Sequence, residues 1–134
     1  MEIFYIIAGL LIILFFFAQF RMYRKSKRTV GTPVPYDKIS DKLQSLIENE
    51  KSIIYFYSPN CHACKQQTPV MEELGEEVQN VIMIDASQNM KDAMAFGVMG
   101  TPSTIFIRDN KIQDVMIGFR GEASLRKKVD LLYT

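Results

Sequence analysis

The stretch YSPNCHACKQQTP, residues 57–69, holds both cysteines of the chain, Cys61 and Cys64, and its one histidine, His62. Two cysteines separated by two residues suit half a metal site, a short structural disulfide or a reactive redox pair, and their surroundings discriminate between these. Just before them, SIIYFY (52–57) is an unbroken run of β-formers that suits a strand buried on both faces. Pro59 and Asn60 break it, and a helix is expected from His62 to Val78, kinked by Pro69 in its interior. Cys61 therefore falls where a strand ends and a helix begins.

That junction has a chemical consequence. The first helical turn offers unpaired N–H groups and the positive end of the helix dipole, and both stabilise a thiolate. Thiolate is the nucleophile of disulfide exchange, so Cys61 is the expected attacking residue. Cys64, three positions later and further inward, is placed to attack the mixed disulfide and release the substrate. A structural zinc site wants four ligands, whereas the chain offers Cys61, Cys64 and at best the adjacent His62. No metal and no cofactor beyond a Cys61–Cys64 disulfide is expected. A purely structural disulfide over so short a loop would staple almost nothing, and two inert thiols remain the bland alternative.

Further out, the pattern is one of alternating elements. Asp37–Glu50 places Ile39, Leu43, Leu46 and Ile47 on one helical stripe. Val81–Asp85 reads as a second buried strand and Asn89–Phe96 as a short helix ended by Gly97. Thr104–Arg108 and Ile112–Ile117 are strands joined by Asp109-Asn110-Lys111, a hairpin signal, with Gly118 marking a bulge or bend. Glu122–Leu132 closes the chain as a helix with Leu125, Val129 and Leu132 inward. Strands alternating with helices imply parallel pairing, and the hairpin adds antiparallel neighbours. The fold class is α/β, a mixed central sheet with helices on both faces.

Residues 36–134 resemble the thioredoxin family. The Cys61-x-x-Cys64-Lys65 motif follows SIIYFY, Pro69 comes five residues after the second cysteine, and GVMGTPSTIFI (97–107) is similar to the family segment whose proline follows a cis peptide bond. Gly118 matches the glycine after the final strand. The resemblance implies a thioredoxin-like fold in which Pro102 lies against the cysteine pair. With Thr101, Asn60, Tyr57 and Met99 it would shape a groove for an extended peptide, the cis proline turning the Thr101 backbone toward it. It implies protein disulfides as substrates, a dithiol electron donor such as a reductase as a partner, and a part in cell redox homeostasis. An ordinary trans loop is the alternative for Thr101-Pro102.

Departures from the family pattern are informative. Trp-Cys-Gly-Pro-Cys-Lys is replaced by Asn60-Cys61-His62-Ala63-Cys64-Lys65, which makes His62 and Ala63 candidate tuners of redox potential. A charged imidazole there favours thiolate and a more oxidising disulfide, against the alternative of an exposed histidine with little effect. The buried aspartate found six residues before the first cysteine in many members is Tyr55 here, and its lysine partner is Val81. Water or a hydroxyl such as that of Thr101 would have to relay the proton of Cys64. Met83, Met90, Met94, Met99 and Met116 read as core filler or a soft rim, Met99 and Phe96 as lining for an apolar patch beside the proline loop. The Glu72, Glu73, Glu76, Glu77 run reads as a solvated helix face.

The N-terminal part has a different composition. Ile3–Phe20 runs 18 residues without a charge, about 27 Å of helix, enough for a hydrocarbon core of roughly 30 Å with local thinning. A buried core helix or a cleaved signal peptide are the alternatives, but no positive charge on a side chain precedes the run and no small-x-small site follows it. A retained single-pass transmembrane helix is expected, with 1–23 as the anchor, 24–35 as a basic and proline-bearing linker, and 36–134 as the thioredoxin-like domain. RMYRKSKR (21–28) carries five positive charges. By the positive-inside rule it keeps the domain cytoplasmic, where dithiol donors favour a reductase, and it adds attraction to anionic headgroups. An extracytoplasmic domain acting as oxidase, isomerase or electron relay is the alternative, as is a non-catalytic adaptor docking partners at the membrane. Residues 29–134 carry 11 basic and 14 acidic side chains, net −3, so nucleic acid is not an expected partner.

Overall fold

A computed structural model describes residues 1–47 and 50–134, apart from the side chain of Ser26. Its centre is strand β1 (Lys51–Tyr57), whose residues Ile53 to Phe56 are all fully buried. Each such side chain taken from water contributes about 1.5–3 kcal/mol before entropy is counted. β1 pairs in parallel with β2 (Val81–Asp85) and antiparallel with β3 (Ser103–Arg108), and β3 pairs antiparallel with β4 (Lys111–Ile117), giving the order β2-β1-β3-β4. Parallel pairing is thus confined to the β1–β2 crossover. The β3–β4 turn has two residues, Asp109 and Asn110, both at positive φ, and Lys111 is already paired with Arg108. That is the tight hairpin geometry whose twist matches the strands.

Alternation along β1 divides the core in two. Ile54 and Phe56 face one side with Ile82, Ile84, Ile105 and Ile107, covered by α2 (Asp41–Leu46) and α4 (Met90–Ala95). Ile53 and Tyr55 face the other with Phe106 and Met116, covered by α3 (His62–Glu77) and α5 (Glu122–Tyr133). Leu125, Val129 and Leu132 do point inward. The helix expected over Asp37–Glu50 is shorter, because Ser40 caps it: its backbone is extended and its Oγ accepts from the Leu43 N–H at 3.3 Å. Leu46 is exposed while Ile39, Leu43 and Ile47 are buried; residues 48 and 49 lie outside the described residues.

Helix α1 (Glu2–Lys27) extends past the expected end of the anchor at residue 23. Its Glu2–Lys25 portion is long and apolar enough to cross a membrane, and none of its most apolar window is buried. The segment after it is held to the sheet edge. Gly31 N–H donates to Ile112 O at 2.7 Å, Ile112 N–H to Thr32 O at 3.0 Å and Val34 N–H to Asn110 O at 2.9 Å, so these residues partner the otherwise open edge of β4. The Lys27 ammonium lies 3.1 Å from the Asp114 carboxylate.

Candidate active site

The reactive pair is built on the start of α3. Cys61 is the N-cap, with extended backbone (φ −85°, ψ 115°), and its sulfur accepts the Cys64 N–H at 3.1 Å. An N–H left without a helical partner is thereby aimed at the sulfur. Cys61 and Cys64 form a disulfide with Cα atoms 5.2 Å apart. Cys64 is buried, Cys61 and Ala63 are partly exposed, and His62 and Asn60 are exposed. Among the described residues, no group of three or more His, Cys, Asp and Glu side chains converges on one point.

The second wall comes from the chain entering β3. Thr101-Pro102 is cis, Pro102 is buried, and the Thr101 carbonyl oxygen lies 3.4 Å from Cys61 Sγ. In the disulfide that sulfur has no proton to donate; in the dithiol the same contact suits an S–H···O bond. The loop is braced from both sides. Ser103 Oγ donates to Gly100 O at 2.7 Å, and the N–H of Gly118, at φ +77°, donates to Pro102 O at 2.8 Å.

Of the other residues expected here, Met99 is exposed beside the loop and faces the end of α1. Tyr57 stacks on Tyr55, with ring centroids 5.9 Å apart and planes 22° from parallel. Phe96 departs from expectation. It is fully buried against Phe56 and cannot line a surface patch. Met83 is partly buried and Met116 buried, as core filler would be, while Met90, Met94 and Met99 are exposed. The glutamate run is a solvated face, with all four side chains exposed, and Arg126 of α5 bridges part of it, binding Glu77 through two nitrogens at 2.6 and 3.1 Å and Glu122 at 2.7 Å, with Glu73 at 3.6 Å.

Tyr55 fills the position that holds a carboxylate in many family members. It is fully buried, and its hydroxyl shares a hydrogen bond of 3.1 Å with Thr68 Oγ1, one helical turn beyond Cys64. Burial pushes the phenol above its usual pKa against the opposing effect of the Thr68 bond, with Tyr57 adding a small upward push. The pair is therefore a neutral hydroxyl couple at physiological pH. Thr68, the partner of Tyr55, was not singled out in the sequence; its spacing of four from Cys64 on α3 was the available signal.

A sulfur capping a helix, with a second thiol sheltered beneath it and a backbone carbonyl alongside, can exchange its disulfide with an extended partner. That arrangement places the chain among the thiol-disulfide oxidoreductases. The family model for thioredoxin matches residues 35–131, and the chain belongs to the thioredoxin family. Thioredoxin of Bacillus subtilis (strain 168) is 31% identical over 78 residues, 56% of this chain and 75% of its own length. Thioredoxin of Staphylococcus aureus is 27% identical over 97 residues, 69% and 93% of the two chains. The solved structure of a single-site mutant of thioredoxin from Halobacterium salinarum NRC-1 superposes with a TM-score of 0.65 at 26% identity, covering 69% of this chain and 84% of that one.

Proposed function

We propose that the protein is a membrane-anchored reductase of protein disulfides, with α1 as a single-pass anchor over residues 1–23, a linker over 24–35 and the catalytic domain over 36–134. The observation that carries the assignment of roles is the Cys64 N–H directed at the Cys61 sulfur at 3.1 Å, with Cys64 buried and Cys61 partly exposed. A donor held there favours the thiolate at Cys61 over the thiol.

The Cys61 thiolate attacks one sulfur of a substrate disulfide. The substrate S–S bond breaks, a mixed disulfide forms, and the released substrate thiolate takes a proton. Cys64 loses its proton and attacks Cys61 Sγ, breaking the mixed disulfide and releasing the second substrate thiolate, which is protonated in turn. Two electrons pass from the dithiol to the substrate, and the Cys61–Cys64 disulfide remains for a dithiol donor to reduce. Thr101 and Pro102 would receive the substrate backbone, with Asn60, Tyr57 and Met99 around them and His62 and Ala63 setting the potential.

The five positive charges over residues 21–28 favour a cytoplasmic domain, and hence reduction. Full-length protein in detergent is expected to reduce insulin with a dithiol donor. Cys61→Ser abolishes turnover, and Cys64→Ser accumulates a mixed disulfide through Cys61. Absence of turnover with every donor supplied would sink the reading. A reporter fused after Thr134 that is active only when exported would reverse the orientation, and the direction of electron flow with it.

A further inference from the structure

The geometry points to a reactive edge held at the bilayer surface, and we propose that its substrate is a disulfide presented in the headgroup layer by a membrane-embedded protein. This rests on reading α1 as membrane-spanning and on the exchange chemistry above.

Three observations converge. First, the residues where the apolar run gives way to charge are the residues that meet the active-site loop. Gln19, Met22 and Tyr23 of α1 line a cavity of about 200 Å³ together with Met99, Gly100 and Ile117. Gly100 precedes Thr101, whose carbonyl is 3.4 Å from Cys61 Sγ. A membrane–water boundary falling near Phe20 and Arg21 therefore lies at the level of the loop that flanks the disulfide.

Second, the placement is anchored rather than left to a loose tether. Lys27, seven residues past the uncharged run but still on the same continuous helix α1, is paired with Asp114, and Gly31 to Val34 are hydrogen-bonded along β4. Few rotatable residues separate bilayer from sheet, so the domain has little freedom to lift Cys61 away.

Third, the surface beside the loop has the character of a membrane contact. A second cavity, of about 430 Å³, is lined by Phe17 and Phe20 from the apolar run, by Arg21, Arg24, Lys25 and Arg28 from the basic run that follows it, and by Met99 of the loop. Met94 continues this face and is 69% exposed, Met99 54%. Apolar side chains followed along the helix by cations match acyl chain below anionic phosphate. With the face resting on headgroups, a disulfide confined to the same plane meets Cys61 at a raised effective concentration, whereas one tethered far above the surface does not.

Because Cys61 and Cys64 are the only cysteines, full-length Cys64→Ser in nanodiscs containing anionic phospholipid accepts one nitroxide, at Cys61. Collision accessibility to oxygen and to a water-soluble nickel chelate is expected to place it in the headgroup layer, roughly 5–8 Å thick. A label in bulk water overturns the proposal. As reference, Ala8→Cys in a Cys61→Ser/Cys64→Ser background should report the hydrocarbon core; a label in water at residue 8 overturns the membrane reading as well, which separates the two failures.

The substrate half is tested with active full-length protein in vesicles and one disulfide peptide in three forms, lipid-tethered by a short spacer, lipid-tethered by a long one, and free. Reduction at least about tenfold faster for the short tether is expected. Equal rates for all three overturn the substrate assignment. No turnover of any form, with insulin also unreduced, identifies failure of the exchange reading and removes the substrate assignment with it.

Discussion

At the scale of single residues, two substitutions against the usual thioredoxin pattern carry measurable consequences. Tyr55 brings a neutral hydroxyl and a large apolar ring beneath the CxxC helix. Tyr55→Phe removes only the bond to Thr68, which is partly exposed and can turn to water. Its expected cost is about 0.5–1.5 kcal/mol in urea unfolding. Tyr55→Ala empties a fully buried site and is expected to cost about 3–5 kcal/mol, on the scale of large aromatic truncations. His62 stands exposed between the two cysteines. If its charge favours the thiolate, His62→Gly makes the pair more reducing, by on the order of 30 mV for a tenfold change in the exchange constant. Equilibration with glutathione measures this, and an unchanged potential assigns His62 no tuning role.

At the scale of elements, a buried carboxylate joins two short helices that have little strength alone. Asp92 of α4 is 3% exposed and accepts from both the backbone N–H and the hydroxyl of Ser40 at 2.6 and 2.7 Å. Ser40 in turn caps α2. A six-residue helix is too short to persist on propensity, so this link sets where α2 begins and how α4 lies on it. Asp92→Ala is expected to destabilise by about 1–3 kcal/mol, because it leaves the part-buried Ser40 N–H and hydroxyl without their acceptor. Asp92→Asn should cost less, since a carbonyl acceptor survives. Both are read from denaturant midpoints of full-length protein in detergent.

At the scale of the whole molecule, Asp114 ties the end of α1 and helix α5 to β4, through Lys27 at 3.1 Å and Lys128 at 2.5 Å. Burial acts to raise its pKa, but hydrogen bonds from Lys128, Lys27 and the Val115 N–H outweigh burial and hold it below the usual carboxylate value. A carboxylate with a depressed folded pKa contributes stability that is complete above its unfolded value, about 3.9, and is lost as pH falls through the folded one. Acidification below about pH 4 should therefore weaken the docking of α1 on the domain. Asp114→Asn should remove that part of the acid dependence and leave neutral-pH exchange activity intact. Thermal unfolding from about pH 7 to about pH 3, wild type against variant, checks it; parallel acid limbs would refute the assignment.

Much of the site was legible before any coordinates, because its signals are local. SIIYFY, Pro59-Asn60 and the residues after Cys61 specify a strand end and a helix start through propensity and capping, which are properties of neighbours in the chain. The family-like segment around Pro102 was equally readable as a pattern. Contacts between distant positions were not, among them Ser40 with Asp92, Lys27 with Asp114, Tyr55 with Thr68 and the burial of Phe96, since composition carries no record of which side chains meet. Chain order and side-chain type are enough to specify the chemistry, two thiols at a helix start behind an apolar span. Their setting comes from strand pairing instead. β2 runs parallel to β1 and ends at the same end of the sheet, and after α4 the chain begins β3 at that end too, with Ser103 opposite Phe56. That antiparallel pairing sets Thr101 against Cys61; a parallel β3 would have started beside Lys51, at the far end of the strand.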